Sequence, residues 1–78
     1  MAWSDALSSP APLKDGRVLM TLRDAANLFA SFSESILAHG WVSHAVDLLI
    51  EAAEDGSAGA IEKATRQVQR ALFREGMI

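Results

Sequence analysis

The sequence predicts an all-α domain of three main helices, and three observations carry that expectation. From Trp41 to Glu54, the residues Val42, Ala45, Val46, Leu49, Ala52 and Ala53 recur at spacings of three and four. They form one broad apolar stripe on a helix. Two further runs, about 21–33 and 58–75, repeat the same periodicity. Between them stand punctuation signals, Asp55-Gly56-Ser57 above all, that close one helix and open the next. Trp41, Leu48 and Ile50 widen the central stripe until only His44, Asp47, Glu51 and Glu54 make a polar ridge. A helix this apolar is covered on more than one side, so it marks the middle of a small core.

Taken in order, residues 1–12 read as a flexible N-terminal arm ahead of a single helical domain over 13–78. Trp3 and Leu7 sit four apart, as on one helical turn, but Pro10 and Pro12 end any regular element there. A Trp in such an arm docks on a neighbouring apolar surface, in its own chain or a partner's. Asp15-Gly16 is a turn signal, and Val18 and Met20 alternate with Arg17 and Leu19 as in a very short strand. A two-stranded hairpin alone is marginal. If residues 13–20 pair, they do so as a small ribbon packed on helices or joined to a second subunit.

Thr21-Leu-Arg-Asp24 reads as a helix start, with the Thr21 hydroxyl and the Asp24 carboxylate satisfying first-turn N–H groups. Leu22, Ala25, Ala26, Phe29 and Phe32 then mark the stripe of the first helix. Ser31, Ser33 and Ser35 favour caps and turns, so a break is expected near 32–34 and a short helical turn near 35–38. One continuous helix to His39 is the alternative. The central helix runs over about 41–54 and the third over 58–75, on Ile61, Ala64, Val68, Ala71 and Leu72. Their connection is so short that they should pack antiparallel. The acidic ridge of one then lies beside the basic ridge of the other, within a chain or across a dimer.

Composition narrows the function classes. A chain of 78 residues has room for one modest core, yet half of it is apolar. That surplus points to a second copy covering part of it, hence a homodimer or an unidentified protein partner. Without cysteine there is no disulfide, thiol nucleophile or thiolate metal site, which suits a reducing compartment. No apolar run reaches membrane-spanning length, and the start lacks a secretory pattern, so a cytoplasmic, membrane-free protein is expected. A net charge of −3 argues against a general nucleic-acid binder.

Motifs for chemistry are sparse. His44, Asp47 and Glu51 share a helix face at i, i+3 and i+7, but the doubled Glu-x-x-His pattern of carboxylate-bridged metal bundles is missing. No metal or cofactor is expected, and His39 reads as a loop histidine. The serines are scattered over caps and loops, and no phosphate-cradling or nucleophile-elbow motif occurs, so no catalytic residue is assigned and no enzyme is expected. Lys63, Arg66, Arg70 and Arg74 form a basic ladder on the third helix. In its plain role it is a solvated face that complements the negative helix end and pairs Glu62 with Arg66. Its functional role is a contact for DNA or an acidic partner, with Thr65, Gln67 and Gln69 alongside. Ala52 and Gly56 match helix-turn-helix spacing, but Glu62 falls where that motif needs an apolar residue, with Ile61 one position early. The candidate self-association residues are Trp41, Leu48, Phe29, Phe32 and Phe73. The leading expectation is therefore a small interaction module, and the alternative a small DNA-associated regulator.

Three words of the sequence carry a resemblance. They are Leu13-x-Asp15-Gly16-Arg17-x-Leu19-x-Thr21-Leu22-x-Asp24-Ala25, then Trp41-x-x-x-Ala45-x-x-Leu48-Leu49-x-x-Ala52-Ala53-Glu54, then Arg70-Ala71-Leu72. From Leu13 onward the chain resembles short, uncharacterised alphaproteobacterial proteins. It departs from them in carrying Ser-Phe-Ser-Glu where a Pro-containing break would follow the first helix. The resemblance implies a bacterial, cytoplasmic, mostly helical small protein and brings no activity or site residue with it.

Overall fold

The computed structural model describes residues 3–78. Its elements run β1 (Ala6–Pro12), β2 (Val18–Thr21), α1 (Leu22–Ala30), α2 (Glu34–Leu37), α3 (Gly40–Asp55) and α4 (Ala58–Arg74). The fold is mostly helical, with three main helices, but it is not all-α: β1 and β2 form a two-stranded antiparallel ribbon. The ribbon takes residues 18–20 of the expected 13–20 stretch into its second strand, but its first strand, Ala6–Pro12, lies in the expected arm. Ala11 and Pro12 face Leu19 and Val18, and Ala6 faces Thr21. The residues between Ala6 and Ala11 loop out of register as a bulge. A ribbon has only free outer edges, so Pro10 in the bulge and Pro12 at the strand end remove no bond that the ladder needs.

What holds β1 is the rest of the molecule. The Ser8 N–H donates to Thr65 Oγ1 at 3.1 Å, and Gln69 Nε2 donates to Ser9 Oγ at 3.1 Å. Leu7 and Ala11 point inward and are buried. The turn that follows uses Gly16 at φ +95°, a value that favours glycine, with Asp15 bonded to the Arg17 backbone and side chain.

α1 opens on the capping box read from the sequence. Asp24 N–H donates to Thr21 Oγ1, and Asp24 Oδ2 accepts from the Thr21 and Met20 N–H groups. The helix ends at Ala30, three residues earlier than the sequence suggests, because the Ser31 hydroxyl turns back to the Leu28 carbonyl at 2.6 Å. The short helical turn then appears as α2, which settles the choice against one continuous helix. α3 ends on Gly56 in the left-handed conformation, φ +72°, and Ser57 caps α4 by accepting from the Ala60 N–H.

α3 and α4 form the central antiparallel pair. Trp41, in the first turn of α3, meets the middle and the far end of α4: Gln67 Nε2 donates to the Trp41 carbonyl, and the Arg74 guanidinium lies 5.2 Å over the Trp41 ring. Ala45, Ala52, Ala64 and Ala71 are all fully buried, which lets helix backbones approach closely. Leu22, Val42, Leu49, Val68 and Leu72 fill the core, and α1 and the ribbon cover its two flanks.

Candidate interaction surface

Three surfaces meet along α3. On one side α3 faces α1 and α2, and a groove of about 310 Å³ opens between them. Its walls are almost wholly apolar, from Trp3, Phe29, Leu37, Val46, Leu49 and Ile50. Ile50 stands on its rim with 42% of its surface exposed. Along the crest of α3, Asp47, Glu51 and Glu54 are exposed at spacings of four and three. On the other side, between α3 and α4, a second groove of about 370 Å³ is lined by His44, Leu48, Glu62, Lys63, Arg66 and Arg70 with Gln67. Apolar, acidic and basic surfaces thus succeed one another across about two helix widths.

Among the described residues, no ion pair joins the acids of α3 to the bases of α4. Arg66 is bonded within its own helix to Glu62 at 2.7 Å, with both side chains more than half exposed. Such a pair contributes little and exchanges readily. The two ridges that the sequence sets beside each other are adjacent but turned to solvent.

The basic ladder is split. Arg74, still exposed, lies over Trp41, where Glu75 completes a polar hub. The Trp41 indole N–H donates to Glu75 Oε2 at 2.7 Å, and His39 Nδ1 lies 2.8 Å from the same oxygen. The His39 ring sits 4.9 Å from the Trp41 ring. The Glu75 carboxyl, 12% exposed, is held below its ordinary pKa by the bond from His39 and then the bond from Trp41, against an opposing effect of burial. His39 is the loop histidine expected, in the bend between α2 and α3, and its ring ties the end of α4 to the start of α3.

The five candidate self-association residues part company. Phe29 is 2% exposed and stacks edge-on against Phe32, ring centroids 5.2 Å apart. Leu48 is buried, Phe32 is half-buried, and Trp41 is engaged in the hub. Only Phe73 projects freely, at 71% exposure. Sequence reading left out Ile50, Val18 and Met20 as exposed apolar residues. Ile50 lay hidden in a stripe too wide to show which edge would face solvent.

His44, Asp47 and Glu51 are exposed on α3. Among the described residues no group of three or more metal-ligating side chains is placed to hold an ion, and no helix is long and apolar enough to cross a membrane. Comparison with known proteins finds no matching family model, curated protein or solved structure.

Proposed function

We propose that this chain is a small, self-associating interaction module of the cytoplasm. The observation that carries the reading is the apolar groove between α1, α2 and α3. Its almost wholly apolar walls offer little to orient a small polar ligand, which separates it from the usual substrate pocket. We read this open apolar groove as a contact with another protein, one of the roles such surfaces serve. The exposed Phe73, Val18 and Met20 add to that surplus at other points of the surface. Sedimentation equilibrium over a dilution series tests the reading. Reversible dimerisation in the micromolar range supports it, and a monomer at every concentration up to about 1 mM, a free energy weaker than about −4 kcal/mol, rejects it.

A second reading rests on the groove between α3 and α4. Lys63, Arg66 and Arg70 face solvent there beside Gln67 and His44, a set that suits phosphate or carboxylate groups. Duplex DNA or an acidic protein would be the ligand. The acids on the neighbouring crest and the net charge of −3 oppose DNA. A fluorescence titration of labelled duplex at low salt decides it: saturable binding lost in an Arg66→Ala, Arg70→Ala variant supports DNA, and its absence removes DNA from consideration.

A further inference from the structure

Resting on the self-association reading, we infer that the outer stripe of α4 from a second copy occupies the crest of α3, with its Phe73 seated in the apolar groove. The first ground is spacing. Asp47, Glu51 and Glu54 on α3 follow i, i+4, i+7, and so do Arg66, Arg70 and Phe73 on α4. At about 100° per residue each set falls within about 60° of arc, on the solvent side of its helix. One stripe is acidic and the other basic with an aromatic end.

The second ground is register. Laid antiparallel, Arg66 of one copy meets Glu54 of the other, and Arg70, about 6 Å further along, meets Glu51. Phe73 then arrives about 10.5 Å from Arg66, at the level of Asp47. The groove opens at that level, between Val46 and Ile50. In the parallel orientation Phe73 would instead reach Glu54, beyond the groove. The charges alone fix no direction; the position of the groove does.

The third ground is what the alternatives cost. Two copies meeting α3 on α3 at Ile50 would bring two acidic crests together, and like charges in contact oppose association. α4 on α4 would oppose two basic stripes in the same way. The α4-on-α3 pairing is the combination that covers Ile50 and Phe73 together and neutralises both ridges. Arg66 changes partner from its own Glu62 at small cost, because that bond is solvent-exposed. Long arginine stems also cover apolar surface beside Phe73 while their heads reach the carboxylates.

A charge-exchange experiment tests this. Chain X carries Arg66→Glu and Arg70→Glu; chain Y carries Glu51→Arg and Glu54→Arg. All four positions are exposed, and circular dichroism verifies that both chains stay helical. Sedimentation of wild type, X, Y, an equimolar X–Y mixture and Phe73→Ser is compared at one low ionic strength. The expected result is a wild-type dimer, at least tenfold weaker association of X alone, Y alone and Phe73→Ser, and recovery in the mixture, where every acidic stripe again faces a basic one. Should X or Y lose helicity, Phe73→Ser and Ile50→Asp, single changes at exposed apolar sites, decide the matter by the same tenfold criterion. A wild-type dimer that X, Y and Phe73→Ser leave unchanged overturns this pairing while self-association stands through another face. Failure of a folded X–Y mixture to recover likewise overturns it, and a wild type that never associates removes both readings.

Discussion

Replacing Thr65 by Val isolates the bond that attaches the ribbon to the helices. Thr65 is 1% exposed; its hydroxyl donates to the Ile61 carbonyl at 2.8 Å and accepts the Ser8 N–H at 3.1 Å. Valine keeps the shape, so no cavity opens. The Ile61 carbonyl keeps its helical bond from the residue-65 N–H and loses little. Ser8 N–H loses its acceptor, worth about 1 kcal/mol, with a further penalty of up to about 1–3 kcal/mol if water cannot replace it. Ser8 is exposed, so the lower end of that range applies, and the better burial of a second methyl offsets part of it. A net loss of about 1–2 kcal/mol follows. In a domain this small, each kcal/mol lowers Tm by about 4–8 °C. The assay is urea unfolding at one fixed protein concentration, with amide exchange at Ser8 as the local reporter. Thr65→Ser, which keeps the hydroxyl, should retain Ser8 protection while losing about 1 kcal/mol of methyl burial. A Thr65→Val variant as stable as wild type, with Ser8 still protected, would refute the role given to this bond.

The Glu75 hub should respond to acid. Its folded-state pKa is lowered, so the stability it contributes is complete above the unfolded-state value, about 4.3, and is lost as pH falls through the lower folded-state value. Unfolding profiles between pH 7 and 3 should show this loss, and Glu75→Gln should flatten it; an unchanged profile contradicts the hub. Gly56→Ala forces an L side chain into the left-handed cap of α3 and should cost about 1 kcal/mol or slightly more by thermal unfolding. Leu72→Ala empties a fully buried core site and should cost about 2–5 kcal/mol, a large share of the whole stability of a 78-residue domain, so circular dichroism should show much of it unfolded at 37 °C.

Helix starts and stops were legible because their causes are local. Thr21 and Asp24 lie within one turn of the bonds they make, and Asp55-Gly56-Ser57 carries both a cap that needs positive φ and the acceptor of the next helix. The strand Ala6–Pro12 was not legible. Two serines and two prolines carry little strand preference, and the groups that hold them, Thr65 and Gln69, are 57 and 60 residues away. The same holds for Glu75, whose partners His39 and Trp41 lie 36 and 34 residues earlier. Among the candidate contact residues, periodicity marked Phe29, Leu48 and Phe73 alike as apolar. It could not sort them, because whether a stripe edge faces the chain's own core or solvent depends on which helix packs beside it.

Sedimentation equilibrium of the wild-type chain across a dilution series, with thermal unfolding followed at each concentration, tests self-association most directly. The expected result is a dimer at high concentration whose melting temperature falls on dilution, because folding and association are then linked. A monomer whose melting temperature is the same at every concentration would contradict it, and would leave the apolar groove beside Ile50 without a second copy to fill it.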